Sequence, residues 1–470
     1  MGRENSHEFV TFCIQKRSIA AFYFARIPGV EYLIPMPEFS SGESLPLESL
    51  KPDFQIHYSY PVLFTRNVFD PENLILAGCL GLPADEQYPS ELSRVESEAD
   101  LEFQPSRVLV ILDQGLLDAN PGVDGRISNY LDSFRPYVQF SGMEILAGGE
   151  ACKNDLSNLT KIYEAVARYG IDRHSCILAV GGGALIDVAG FAAATAHRGI
   201  RLIRIPTTVL AQNDASIGVK NGMNFAGRKN FIGSFASPFA VINDFEILRT
   251  LSQRDKRAGM AEAIKVALIR DPGFFQWMEA HAGQLARFET WALEHLIVRC
   301  AELHLHQISQ GGDPFESGSA RPLDFGHWSA HKLEELSNHE LRHGEAVALG
   351  MALDSVYSHQ AGLLNEKQLL RVLSLLENLG FSLHVPWSVD VDQSLEEFRE
   401  HLGGELCITL LEDCGVGVEV NRIDADLMRE SMAWLEKRFS GFDDVEHTPS
   451  SSHAPPRSES RQQTTAENVT

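Results

Sequence analysis

The chain has 470 residues, enough for two or three domains with cores of their own, and 44% hydrophobic and 22% charged residues mark it as globular and water-soluble. Its 40 Lys and Arg against 64 Asp and Glu leave a net charge of −24 with no basic run, which argues against a nucleic acid partner. Seven scattered cysteines (Cys13, Cys79, Cys152, Cys176, Cys300, Cys407, Cys414), odd in number and without a CxxC pair, suit a reducing compartment such as the cytoplasm better than a disulfide framework or a thiolate zinc site.

Residues 1–52 show no periodicity and read as a variable arm. The most apolar stretch within them, residues 19–35, is broken by Arg26, Pro28 and Glu31, so it is neither a secretion signal nor a membrane span. Over residues 53–250 short apolar runs alternate with helical patterns. Strands are predicted at 107–113, 176–180, 202–205 and 239–242. A helix is predicted over 154–169, with Leu156, Leu159, Tyr163 and Val166 on one face, Asn154 or Asp155 as N-cap and Gly170 beyond its end. This alternation predicts an α/β fold with a largely parallel, doubly wound, Rossmann-like sheet. Residues 251–440 read as a second, all-helical domain, with helices over 282–307, 345–360, 366–379 and 424–438. Residues 441–470 are polar and nearly free of aliphatic side chains, which predicts a disordered tail.

Several short motifs carry chemistry. GGGALID, from Gly181 to Asp187, follows a predicted strand and opens a helix, so bare N–H groups at Gly182 and Gly183 can face an anion such as a pyrophosphate. A glycine-rich turn alone is as often purely structural. Asp113 ends the first strong strand, where an acidic residue can bind a ribose hydroxyl, although a loop aspartate is commoner. Residues 205–235 gather Asp214, Lys220, Lys229 and Asn230 into what reads as loops after a strand, suited to hydroxyls and a phosphate. Glu262 and Lys265 stand at i and i+3 of a helix with apolar surroundings, which argue against a fully exposed ion pair. His327 and His331 stand at i and i+4, and His343 begins another helix. Each histidine alone is more often a packed residue than a ligand. One carboxylate with two imidazoles is nonetheless a known catalytic zinc arrangement, which Glu262, His327 and His343 could form.

Together these segments resemble the sugar-phosphate cyclase family of the 3-dehydroquinate synthase type over residues 64–423. GGExxK (148–153), GGGALID, RGI (198–200), PTTVLAQNDASIGVKNGMN, GRKN, GMAEAIK, DFGHxxxH and HGEAVALGM occur in family order. The resemblance implies a Rossmann-like NAD-binding domain followed by an all-helical metal-binding domain, with NAD and a divalent metal, zinc or cobalt, as cofactors. It implies Glu262, His327 and His343 as metal ligands, and Asp113, Glu150, Lys153, Gly182, Gly183, Asp187, Thr207 and Thr208 as NAD contacts. Asp214, Lys220, Lys229, Asn230, Lys265 and His331 match substrate-handling positions, and Arg198 one that reaches a phosphate across a homodimer interface. The implied reaction oxidises a hydroxyl of a small phosphorylated sugar, eliminates phosphate, returns the hydride and closes a ring.

Some positions depart from dehydroquinate synthase. By spacing, His306 replaces a lysine, Asp324 an asparagine and Ala320 an arginine, unless a one-residue shift supplies Arg321; FREHLGGEL (398–406), with His401, looks like the valiolone-forming cyclases. Asp324 would repel a substrate carboxylate and accept hydrogen bonds from a polyol, favouring sedoheptulose 7-phosphate. His331, by contrast, is a residue that valiolone synthases replace, which keeps true dehydroquinate synthase as the alternative. A metal-dependent NAD alcohol dehydrogenase of related fold and a non-catalytic NAD-binding relative are the further alternatives.

Overall fold

A computed structural model describes residues 56–82, 105–135, 137–226, 228–311, 315, 322–338, 340–384, 389–401 and 404–439. The expected N-terminal arm, the C-terminal tail and positions 320 and 321 lie outside the described residues, as does the side chain of His401.

Short Val-, Ile- and Leu-rich runs form a wholly parallel six-stranded sheet. Its strands are β1 (Val62–Thr65), β2 (Ser106–Asp113), β3 (Val138–Leu146), β4 (Cys176–Gly181), β5 (Arg201–Pro206) and, after a hairpin of β6 (Lys220–Phe225) and β7 (Arg228–Phe235), β8 (Ala240–Asp244). The spatial order is β1-β8-β5-β4-β2-β3. Both faces are covered: Val108, Val110 and Leu112 of β2 enter one core, and Leu109 and Ile111 the other. That double burial is why the strand reads as a continuous apolar run rather than an alternating one.

Among the crossovers, α1 (Leu156–Arg168) begins two residues later than expected because Asp155 is the cap, accepting from Ser157 N at 2.8 Å. The glycine turn leads into α2 (Gly183–Thr195). Residues 205–235, expected as loops, instead hold one π-helical turn (Ala211–Ala215) and the β6–β7 hairpin.

Beyond β8 the chain is mostly helical, with α3 (Gln253–Arg270), α4 (Thr290–Gln310), α5 (His327–Leu336) and α6 (His343–Gln360) around the site. Two expectations are corrected. The helix expected over 282–307 is broken, because Phe288 takes a left-handed φ of +56°, separating Ala282–Ala286 from α4. The region is also not wholly helical: β9 (Ile408–Asp413) and β10 (Val416–Val420) pair antiparallel through Gly415, whose φ is +98°.

Helix α3 is buried on every side over residues 258–269, so it shows no amphipathic stripe. Its neighbours approach through small residues. A Cβ on Gly259 would lie 2.5 Å from Val209 Cβ, and one on Gly344 would lie 1.8 Å from the Ala258 carbonyl oxygen. A single Gly344→Ala change would therefore push the start of α6 away from α3. Burying Ile264 and Leu268 stabilises this packing by about 1.5–3 kcal/mol each. Among the described residues no helix is long and apolar enough to cross a membrane.

Candidate functional site

Strand β2 has its sequence successor β3 on one side and β4 on the other, so the sheet's switch point opens between the carboxyl ends of β2 and β4. Asp113 stands there. One of its oxygens accepts from Gly115 N at 2.8 Å, and the other lies 3.4 Å from Gly182 N. Gly148 has no side chain because a Cβ would fall 2.3 Å from those oxygens. Gly182 is the N-cap of α2, and the first turn carries neither a side-chain cap nor an acidic residue. Thr207 N donates to the Gly181 carbonyl at 3.0 Å, and the Thr208 methyl lies 3.5 Å from where a Gly182 Cβ would be. The open helix terminus behind bare glycine backbone fits a pyrophosphate.

The hairpin is pinned beside this crevice. Lys153, almost fully buried, donates to Asp187 at 2.7 Å and to the amide oxygen of Asn230. Asn224 donates to Glu150 Oε1 at 2.8 Å and accepts from Asn230 N at 2.9 Å. Burial alone would push the Lys153 ammonium down, but Asp187 and Glu150 outweigh it and hold it raised. For Asp187 burial wins over Lys153, and its carboxyl is raised. Lys220 is exposed at the start of β6. Arg204 straps the segment before it, wholly buried and donating to the carbonyls of Ser216 at 2.9 Å and Gly218 at 2.6 Å and to Asn221 Oδ1 at 2.7 Å.

Across the crevice, Glu262 on α3, His327 at the start of α5 and His343 at the start of α6 bring one donor atom each to within 4.8 Å of one another. His343 Nε2 lies 3.3 Å and His327 Nε2 3.6 Å from Glu262 Oε1. Neither Glu262 oxygen accepts a well-aligned hydrogen bond, although Lys265 Nζ lies against Oε2. A buried carboxylate so under-satisfied, faced by two imidazole nitrogens, is a donor set that fits a divalent cation. Burial raises the Glu262 carboxyl, but Lys265 and His343 outweigh it and bring it to about 2. His327 is pushed well down by burial and by Lys265, which leaves it neutral. His331 stands nearby, with its ring centroid 5.7 Å from that of His327 and 6.3 Å from that of His343.

Three supporting residues escaped the sequence reading. Glu334, almost fully buried, places Oε1 2.8 Å from Lys229 Nζ and Oε2 3.4 Å from His343 Nδ1. It ties a hairpin lysine to the far nitrogen of a histidine that faces Glu262. Its signal was the spacing itself, since His327, His331 and Glu334 fall at i, i+4 and i+7 of one helical face. Asp354, wholly buried on α6, accepts from Gly326 N at 3.0 Å and Trp328 Nε1 at 2.8 Å, bracketing His327. His304 on α4 places Nδ1 2.6 Å from Asp214 Oδ1, whereas His306, which spacing had aligned with a pocket lysine, is exposed. Asp324 lies close enough to Lys265 for its charge to help raise that ammonium. Arg198 is not drawn into the cluster: it is exposed on a left-handed turn, φ +61°, beside His197 at +52°.

Comparison with known proteins agrees with this layout. Residues 143–258 match the model of the 3-dehydroquinate synthase N-terminal region and residues 259–401 that of its C-terminal region. A 3-dehydroquinate synthase from Nitrosococcus oceani is 38% identical over 292 residues, covering 61% of this chain and 80% of that protein. Among solved structures, a 2-epi-5-epi-valiolone synthase from Streptomyces hygroscopicus subsp. jinggangensis with NAD+ and Zn2+ bound superposes with a TM-score of 0.72 at 28% identity, over 83% of this chain and 100% of that one. A 2-deoxy-scyllo-inosose synthase complexed with carbaglucose-6-phosphate, NAD+ and Co2+ gives 0.62 at 25% identity, over 79% and 95%.

Proposed function

The chain belongs to the 3-dehydroquinate synthase family, and from that premise we propose that it closes sedoheptulose 7-phosphate, a heptulose phosphate without a carboxylate, into a cyclitol. It is a sugar-phosphate cyclase of the dehydroquinate synthase type and a phosphate-eliminating carbon–oxygen lyase.

NAD, when bound, would take up and return a hydride, and a divalent cation, zinc or cobalt, would polarise the substrate hydroxyls. The chain's own residues do the rest. Gly182 and Gly183 offer backbone N–H groups to the pyrophosphate, with Asp113, Glu150, Lys153, Asp187, Thr207 and Thr208 lining the cofactor crevice. Glu262, His327 and His343 hold the cation. Lys220 and Lys229 hold the phosphate that leaves as an anion, Asn230 and Asp214 orient hydroxyls, and Lys265 keeps Glu262 ionised. His331 accepts or returns a proton beside them. Arg198, exposed on its turn, is assigned to the phosphate site of a second copy in a homodimer. Residues 53–250 thus form the NAD domain and 251–440 the metal and substrate domain. The six cysteines among the described residues are buried free thiols, which fits a cytoplasmic enzyme.

The observation that carries the substrate preference is Asp324, whose charge reaches Lys265. A second carboxylate at about 5 Å, at an effective dielectric near 20, would be repelled by roughly 3 kcal/mol. A polyol would instead donate hydrogen bonds to it. The retained His331 and the 38% identity to a protein named 3-dehydroquinate synthase favour the second reading, a true dehydroquinate synthase. Purified protein with NAD and zinc or cobalt, offered sedoheptulose 7-phosphate and the carboxylated heptulosonate phosphate separately, decides between them by released phosphate. Release from the neutral sugar alone is expected, and release from the carboxylated sugar alone overturns the preference. Net NADH accumulation without phosphate release identifies a dehydrogenase instead.

A further inference from the structure

We infer that His304 is a positioning residue of the active site, holding the Asp214 carboxylate in its working orientation through an Nδ1 hydrogen bond. The inference rests on the reading of Asp214 as a substrate-handling residue. Asp214 lies in the π-helical turn Ala211–Ala215, a local distortion of a kind frequent at functional sites. The turn leaves its carboxylate part-exposed in the electrostatic neighbourhood of Glu262 and Lys265. A carboxylate there is repelled by Glu262 and free to rotate unless something outside the turn holds it. The holder is on α4: His304 Nδ1 lies 2.6 Å from Asp214 Oδ1.

The imidazole is itself fixed. His304 is more buried than Asp214, and a Cβ added to Gly218 would lie 3.4 Å from its Nε2, so the segment after the π turn packs against the ring. Cys300, one turn earlier on α4, is buried and feels the charges of Asp214, Glu262 and Lys265, which marks 300 and 304 as the site-facing side of the helix. His306 is exposed. Two positions along a helix correspond to about 200° of rotation, so only one of the two histidines can face the pocket. With Nδ1 donating to a carboxylate, the ring acts as a rigid strut, and a displacement of about 1 Å in such a group costs on the order of 100-fold in rate.

Two measurements test this. The first is a proton spectrum of the full chain labelled with 15N-histidine. A downfield, slowly exchanging Nδ1–H signal is expected, lost in both H304Q and D214A; a signal indifferent to D214A, or none in the native protein, overturns the inference. The second is phosphate release by H304N, H304Q and H304L, with thermal midpoints recorded. An asparagine amide overlays Nδ1 and a glutamine amide overlays Nε2, so H304N should keep kcat within about 3-fold, while H304Q and H304L lose about 10- to 100-fold in kcat with KM changed less than 3-fold. Equal activity in all three, or equal losses tracking a lowered midpoint, overturns it. Native protein inactive on both sugars defeats the functional reading alone, and the spectrum still decides whether His304 holds Asp214.

Discussion

Replacing Glu334 by Gln probes how the two halves of the site are joined. Its carboxylate is shared between Lys229 Nζ at 2.8 Å and His343 Nδ1 at 3.4 Å, in a nearly buried position. Two effects follow from removing the charge. In the proposed metal site His343 would lose the carboxylate that fixes its ring and raises its basicity, and such partners are worth about 10- to 100-fold in metal affinity, or about 1.4–2.7 kcal/mol. Lys229 loses its counter-ion as well. Breaking a fully buried pair costs about 3–5 kcal/mol, but a quarter of the Lys229 side chain is exposed and it can turn to solvent, so the stability loss should be about 1–2 kcal/mol. The metal term therefore dominates the phenotype. Competition with a chromophoric chelator at pH 7.5 should show zinc binding weakened about 10- to 100-fold in E334Q, with E334D intermediate. Native affinity in E334Q would refute the claim that this carboxylate supports His343 as a ligand.

Arg204→Met should be among the most damaging core changes, because it strands the Ser216 and Gly218 carbonyls and Asn221 Oδ1 without their buried donor; at about 1–3 kcal/mol per stranded group, a loss of at least about 3 kcal/mol is expected in urea denaturation. A change under 1 kcal/mol would mean those groups find other partners. Burial raises the Asp354 carboxyl to about 7, above its usual 3.8. A folded value above the unfolded one gives a contribution fully present below pH 4 and lost as pH rises through 7. Native protein should therefore exceed D354N in stability by more at pH 5 than at pH 8, and a pH-independent difference would contradict this. The thiols of Cys79, Cys152 and Cys176 are pushed up to about 12, chiefly by burial. They should resist a disulfide-exchange reagent at pH 8 until denaturant is added, and rapid labelling of the native protein would show that burial does not govern them.

Much of the sheet was legible because its strands are buried on both faces and separated by amphipathic helices, as with Leu159, Tyr163 and Val166 on α1. The glycine turn at 181–183 was legible for the same reason, as punctuation between two strong periodic segments. The hairpin was not: KNGMNF and RKNFIGSF mix Lys and Asn with the apolar residues, and their placement depends on contacts with Glu150 and Lys153 that no local window contains. The break at Phe288 is a backbone conformation that phenylalanine rarely adopts, so nothing in the sequence announces it. The triad was legible as motif spacing, and Glu334 shares the helical face of His327 and His331, but the partners that these supporting residues bind were not legible. Glu334 joins Lys229 across 105 positions and His304 joins Asp214 across 90, and such pairs are set by how α4 and α5 pack, not by spacing along the chain.

Crystals of the full chain soaked with zinc, with anomalous diffraction recorded on both sides of the zinc absorption edge, reach the centre of the account most directly. One peak is expected about 2.0–2.2 Å from a Glu262 oxygen and from Nε2 of both His327 and His343. At saturating zinc, no density among those three side chains, or a peak bound elsewhere, would contradict it.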